Sequence, residues 1–247
     1  MRTFDLHVER SGGPGPTVVF VHGGAVDLRL FDGVVSLLGA RRSCVRYDRR
    51  GLGRSRSAAA GGSHLGDLVA LLEGLGPATV VGSSVGGAIA LAAALERASL
   101  VTGLVLLAPL LIGAASGSDE RLARLRAAAQ IGPDAVADAY LGDVHLMGTA
   151  PLTPASRALV RQVVASNHHA WLGPPGATPP PSVLGRLGDI QVPTVVLVGD
   201  EDDPTTIAGA EAVASGVRRG ELRPIARAGH LVEIVRADEV ARAILSD

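Results

Sequence analysis

The sequence predicts a doubly wound, mostly parallel α/β sheet with a helical cap inserted after the sixth strand. Three observations carry this: short runs rich in Val, Leu and Ile, helix-like patterns between most of them, and an interval from about Leu110 to Pro193 where the alternation stops. A chain of 247 residues suits one such domain with an insertion better than two independent domains.

The strands are read from short runs rich in Val, Leu and Ile, the pattern of a parallel strand buried on both faces. They are Thr17–Val21, Ser43–Tyr47, Thr79–Val81, Leu104–Leu107 and Thr194–Val198, with a less apolar one near Glu221–Ile225. Residues 3–10 are expected to add an antiparallel edge strand. The count of six before the insertion includes one early strand that no apolar run marks. Leu65–Leu75 and Asp238–Leu245 carry apolar residues at helical spacing, and Val85–Leu95 is an Ala/Leu/Ile/Gly helix suited to burial. Within the interval, Ser118 is expected to cap a helix to about Gln130. Gly132-Pro133 opens another, and Thr153-Pro154 gives a cap with proline at the first helical position of a third. Gly173–Pro181 is a connector rich in proline and glycine. The division follows: a core of 1–110 and 186–247, and a helical cap of 111–185.

Composition excludes several functions. The net charge of −1 offers no basic surplus for nucleic acid or an anionic membrane. No apolar stretch is long enough to span a bilayer as a helix, and the first residues lack the apolar run of a signal peptide, so a cytoplasmic location is expected. The single cysteine, Cys44, forms no internal disulfide and reads as a buried structural thiol. Every basic side chain is arginine; the absence of lysine rules out Schiff-base chemistry and a P-loop with its phosphate-binding lysine. The histidines lack metal-site spacing, so neither a metal nor a cofactor is expected. The expected partner is a small-molecule substrate; the sequence does not set an oligomeric state.

Gly82-Ser83-Ser84-Val85-Gly86 matches G-x-S-x-G and falls between a strand and a helix, where a sharp turn lifts the central serine above the sheet. Ser84 is the candidate nucleophile. Ser83, as the first x, should point elsewhere. Gly82 and Gly86 spare the turn a collision of side chains. Acyl transfer builds charge on a carbonyl oxygen, and backbone N–H groups must already face it. Val85, directly after the nucleophile, supplies one. Phe20-Val21-His22-Gly23-Gly24 is a strand ending in flexible glycines, and Gly24 is the second candidate donor. His22 is assigned to holding that loop rather than to proton transfer.

Val21-His22-Gly23-Gly24, the stretch Tyr47-Asp48-Arg49-Arg50-Gly51-Leu52-Gly53-Arg54-Ser55 and the elbow together resemble small α/β-hydrolases of the esterase and 3-oxoadipate enol-lactonase type. The resemblance covers nearly the whole chain. It implies that Asp48 and Arg50 fix their loop, and that an acid follows the seventh strand in a Gly-x-x-Asp pattern. In Val198-Gly199-Asp200-Glu201-Asp202-Asp203-Pro204 that spacing selects Asp202, with Asp203 the runner-up and Asp200 and Glu201 solvated turn residues. The histidine should follow the last strand, and Ala228-Gly229-His230 fits. His230 is then the general base and Asp202 the carboxylate that orients it. Arg49, Arg54, Arg56, Arg218 and Arg219 are expected to be solvated or salt-bridged. Trp171, the sole tryptophan, either lines the pocket or anchors the cap, and His145 and His168 are further candidate pocket residues.

The expected activity is hydrolysis of a small, largely apolar carboxylic ester or lactone through an acyl-enzyme. The alternative is a lyase, cyclase or isomerase of a biosynthetic pathway on the same fold.

Overall fold

Where the apolar runs lie, strands form, and in this computed structural model they make one seven-stranded sheet. The structure describes residues 6–56, 62–114, 119–173 and 177–246. The strands are β1 (Val8–Gly12), β2 (Thr17–Val21), β3 (Ser43–Tyr47), β4 (Ala78–Ser83), β5 (Val101–Leu107), β6 (Thr194–Gly199) and β7 (Gly220–Ile225), in the order β1-β3-β2-β4-β5-β6-β7. Only β1 is antiparallel to its neighbour. Pro224, which has no N–H to give a ladder, sits in the edge strand β7.

Alternation within β2 explains the two-sided core. Val18 and Phe20 face one layer, packed with α1 (Asp32–Leu38) and the C-terminal α10 (Ala237–Leu245). Val19 and Val21 face the other, packed with α2 (His64–Leu75), α3 (Val85–Glu96) and α8 (Pro204–Gly216). Successive side chains of a strand point to opposite faces, so a strand covered on both sides must be apolar at every position.

Between β5 and β6 the described chain is helical: α4 (Asp119–Ile131), α5 (Pro133–Leu141), α6 (Val144–Met147) and α7 (Pro154–Ser166), followed by 3-10 turns at His168–Trp171 and Leu184–Asp189. In this chain's own count the helices follow the fifth described strand. They bury a third apolar cluster, with Leu125, Val136, Tyr140, Met147, Val160 and Val163 packed on Val26 and Leu30 of the sheet's loops. Thr153 caps α7 by accepting from the N–H of Ser156, with Pro154 at the first helical turn. α9 (Val232–Val235) is a single turn after β7.

Two expectations change in detail, and a third falls outside the described residues. The edge strand runs Val8–Gly12 rather than 3–10, because its ladder to β3 continues to the Gly12–Ser43 pair; residues 3–5 lie outside the described part. β5 begins at Val101 rather than Leu104, because Val101 and Gly103 already pair with Ala78 and Thr79, across a register shift that leaves Thr102 unmatched. Ser118, the expected cap of α4, also lies outside the described residues.

Two glycines make opposite predictions. A Cβ on Gly86 would lie 2.1 Å from the carbonyl oxygen of Val21 and 2.9 Å from that of His22, both backbone atoms. Gly86→Ala should therefore lower the unfolding free energy by about 2 kcal/mol, the scale of an overpacked core. Gly74, exposed on the last turn of α2, has open space around its Cβ position. Gly74→Ala should raise stability by about 0.5 kcal/mol. Urea titration of both variants checks the pair; equal effects would contradict the packing described.

Candidate active site

β4 delivers the chain to Ser84 and α3 takes it away, so the turn between them must be abrupt. Ser84 adopts φ 53° and ψ −118°, a left-handed backbone costly for a residue with a side chain. Hydrogen bonds hold it there: its N–H donates to the carbonyl of Leu107 at 2.8 Å, and its own carbonyl accepts from Leu110 at 2.9 Å. A Cβ on Gly82 would meet the carbonyl oxygen of Gly86 at 2.5 Å, so both flanking glycines are required. Val85 opens α3, and a first-turn N–H has no intrahelical acceptor. Ser84 is half-buried, whereas Ser83 is buried and donates its hydroxyl to Glu233 Oε1 at 2.8 Å.

The loop after β2 reaches the same place. A Cβ on Gly23 would touch the Ser84 Cβ at 3.5 Å, while Gly24 is exposed with open space around it. His22 is fully buried. Its Nε2 accepts from the backbone N–H of Arg49 at 2.9 Å, which assigns the proton to Nδ1, and Nδ1 donates to the Gly23 carbonyl at 2.9 Å. Burial holds the ring neutral, with its pKa lowered to about 3.

The acid and base loops meet beyond β6 and β7. His230 Nδ1 lies 2.8 Å from Asp202 Oδ2, and Asp202 is buried. A carboxylate at Nδ1 places the proton there and leaves Nε2 with a lone pair. Asp202 Oδ1 also accepts the N–H of Asp203 at 2.7 Å. Asp203 faces away and caps α8, accepting from the Thr205 N–H at 2.9 Å and hydroxyl at 2.6 Å. Burial disfavours the charged imidazole, but the charge and hydrogen bond of Asp202 outweigh it, and the His230 pKa is raised above 6.5. Asp48 and Arg50 tie their loop: Asp48 accepts from the N–H of Leu28 and Arg54, and Arg50 forks onto Asp67.

The segment around α6 is knitted to both loops. His230 N–H donates to the carbonyl of His145 at 2.8 Å, and Leu231 N–H to that of Leu146 at 3.0 Å. The His145 ring nitrogen Nδ1 meets the carbonyl of Glu201 at 3.0 Å. Glu201 lies half-buried in the turn, and its carboxylate accepts from the N–H and hydroxyl of Thr149 at 2.5 and 2.6 Å. His145 thus braces the base loop through its carbonyl, and its ring Nδ1 is engaged by the Glu201 carbonyl. His168 Nδ1 meets the carbonyl of Ala165 at 3.2 Å, within its own helical segment. Trp171 is half-buried against the third apolar cluster, with its indole nitrogen buried and lacking a partner among the described residues. A surface cavity of about 210 Å³, lined by His7, Glu9, Asp27, Arg29 and Arg54 among others, includes neither Ser84 nor His230.

Two residues near the site escaped the sequence reading. Arg49 is not solvated and has no salt bridge among the described residues: it is 3% exposed, and its guanidinium donates to the Gly23 carbonyl at 2.7 Å. Its neighbours on the chain, Arg46 and Arg50, do find carboxylates, and nothing in the one-letter pattern separates the three. Glu233 is 1% exposed, and its Oε2 has no hydrogen-bond partner among the described residues. Complete burial raises its pKa, against the opposing pull of its own backbone N–H, Ser83 and the His230 charge. Its place three residues after His230, on a single helical turn, was the available signal.

Comparison with known proteins agrees with the fold. A family model described as the alpha/beta hydrolase family matches residues 18–243. The chain is 29% identical over 247 residues to the polyketide synthase ThaQ of Burkholderia thailandensis; the match covers 95% of this chain and 12% of that much longer protein. Among solved structures, a thermophilic esterase from Thermogutta terrifontis superposes with a TM-score of 0.78 at 25% identity, covering 98% of this chain and 92% of that one. Est816, described as an N-acyl homoserine lactone degrading enzyme, gives 0.75 at 25% identity, with 98% and 96% covered.

Glu233 generates a stability prediction. Its folded pKa is raised, so between the ordinary carboxylate value and the raised one the folded state keeps a proton that the unfolded chain has lost. The stability of the wild type therefore falls as pH rises through that window, and Glu233→Gln, which cannot ionise, is spared. Urea unfolding at pH 5 and pH 8 should show the variant gaining on the wild type at the higher pH. A difference independent of pH would mean that Glu233 is not buried as a neutral acid.

Proposed function

This chain belongs to the alpha/beta hydrolase family, and on that premise we propose that it is a serine hydrolase cleaving a small, largely apolar carboxylic ester or lactone. The observation that carries the reading is the 2.8 Å bond between His230 Nδ1 and buried Asp202, in a chain that also holds a serine at φ 53° on a strand–helix elbow. Ser84 Oγ attacks the carbonyl carbon while His230 Nε2 takes its proton. The carbonyl oxygen becomes an oxyanion, received by the N–H groups of Gly24 and Val85. Collapse expels the alkoxide, protonated by His230, and leaves the acyl group on Ser84. Water, deprotonated by His230, attacks that acyl group and releases the acid. Asp202 holds the tautomer and stabilises the imidazolium in both halves.

An apolar substrate is supported by the third cluster, in which Val26, Leu30, Met147 and Leu231 bring sheet loops and inserted helices together. The esterase and lactone-degrading neighbours support the same class. One observation favours a second reading, a lyase, cyclase or isomerase in a biosynthetic pathway: nearly the whole chain aligns with a segment of a protein named as a polyketide synthase. Such a reaction would use the His230–Asp202 pair without an acyl-enzyme.

The test is a panel of p-nitrophenyl esters of rising chain length, with lactones, alongside fluorophosphonate labelling. Ser84→Ala should abolish labelling and lower turnover by about five to six orders of magnitude, the scale of a triad knockout. Ser83→Ala should cost about tenfold or less. If Ser83→Ala were the dead variant, the elbow register proposed here would be wrong.

The pH profile separates the two readings. Activity needs neutral His230, whose pKa is raised, so kcat/KM should climb with pH through an ionisation above 6.5 and then stay level across the mildly alkaline range. Burial pushes Tyr47 and Tyr140 far above their usual range and there is no lysine, so these side chains give no fall near pH 10. Asp202→Asn removes the charge that favours the imidazolium; it should move the limb to lower pH and cut the rate by about 10⁴. A profile highest at pH 5 and falling towards 8 would favour proton donation to the substrate, and with it the lyase or isomerase.

A further inference from the structure

Arg49 is a buried cation whose described side-chain hydrogen bond goes to a backbone oxygen and not to a carboxylate. Its guanidinium donates to the carbonyl of Gly23 at 2.7 Å, and its Nε is buried without a partner among the described residues. Leaving a buried charge without a countercharge is costly, on the order of several kcal/mol. The fold keeps it at the loop that faces Ser84. His22, fixed as the Nδ1–H tautomer by the Arg49 backbone N–H, donates to the same Gly23 oxygen at 2.9 Å. One carbonyl thus receives two side-chain donors, one of them charged.

The peptide that carries this carbonyl is Gly23–Gly24. A peptide unit is planar, and no cis bond occurs among the described residues, so its C=O and N–H point in opposite directions. Fixing the Gly23 oxygen on Arg49 and His22 therefore fixes the Gly24 N–H on the opposite side. That side is exposed, and glycine alone would leave the peptide free to rotate. Two donors on the oxygen also draw density from the nitrogen, which strengthens the N–H as a donor in turn.

We propose that Arg49 is a positioning residue for oxyanion stabilisation: through the Gly23 carbonyl it aims and polarises the Gly24 N–H. The inference rests on the serine hydrolase reading given above. Arg49 itself touches no reacting atom. Burial lowers its pKa only to about 10, so the cation persists throughout the neutral range. His22 stays neutral and orients; Arg49 supplies the charge.

Arg49→Met tests this. Methionine follows the arginine stem and removes both the charge and the donor. Removing a buried cation that meets no carboxylate among the described residues also removes its desolvation cost, and the Gly23 carbonyl keeps His22 as a donor, so the thermal midpoint should hold or rise. On the best ester of the panel, kcat should fall by about ten- to a hundredfold with KM changed less than about threefold, somewhat less than the loss of a whole oxyanion donor. The affinity for phenylboronic acid, which becomes tetrahedral on Ser84, should fall by the same factor as kcat. A folded Arg49→Met with kcat and boronate affinity within about threefold of wild type would overturn the proposal, as would a rise in KM alone. If Arg49→Met does not fold, Arg49→Lys keeps the charge but loses the planar fork; kcat and boronate affinity should again fall together, and a change in KM alone again overturns it. A wild type that neither labels with fluorophosphonate nor turns over esters would instead sink the hydrolase reading, which sets the two failures apart.

Discussion

The molecule depends on one close approach: the start of α3 lies against the end of β2 with no side chain between them. The Gly86 position would put a Cβ 2.1 Å from the Val21 carbonyl oxygen, closer than two non-bonded atoms can come. This contact draws the elbow onto the neighbouring parallel strand and brings the Gly23 loop to within van der Waals distance of Ser84. The strained φ of Ser84 is tolerated because Leu107 and Leu110, at and beyond the end of β5, hold its N–H and carbonyl. Three adjacent strands therefore fix a single residue. A sheet of fully apolar strands is stiff enough to bear that strain, since its interior can yield little at either face.

A second layer of constraint comes from the inserted helices. The α6 segment offers its carbonyls to the N–H groups of His230 and Leu231, while Thr149 binds the carboxylate of Glu201. Arg227, at φ 59°, donates from its side chain to the Thr149 carbonyl. Gly148 sits where a Cβ would lie 2.5 Å from the Arg227 carbonyl oxygen. Acid loop and base loop are thereby fastened to the same strip of backbone, residues 145–150. The separation of Asp202 from His230 is set by this strip as well as by the sheet. At the far end of the insertion, Asn167 does similar work, accepting from Gly53 and donating to Asp27.

Much of this was legible in the sequence because the signals were local. Valine runs mark strands covered on both faces, and Gly82, Ser84 and Gly86 mark a turn whose geometry permits few residues. The Thr153-Pro154 cap was visible for the same reason. What stayed hidden depends on contacts between residues far apart in the chain. Glu233 reads as the polar face of a short helix until Ser83, 150 residues away, is seen to bind it. Arg49 stands in a run with Arg46 and Arg50, and only the fold shows that its neighbours meet carboxylates while it meets a peptide oxygen. Glu201 looks solvated because its partner Thr149 lies in the insertion. Polar groups inside a protein are satisfied by whatever the fold brings near, and a pattern of residue types does not carry that information.

Trp171 has a consequence of a different kind. It is the chain's only tryptophan, and it lies on the inserted helices, half-buried against a cluster that includes Val26, Leu30 and Leu231 from the sheet's loops. The intrinsic indole emission of this protein therefore comes from one place, the contact between insertion and sheet. Its colour and quenching report how those two surfaces are seated, and they do so without any introduced dye. Backbone circular dichroism follows the sheet and helices as a whole. Recorded together during denaturation or ligand addition, the two signals distinguish loosening of the insertion from loss of the entire fold.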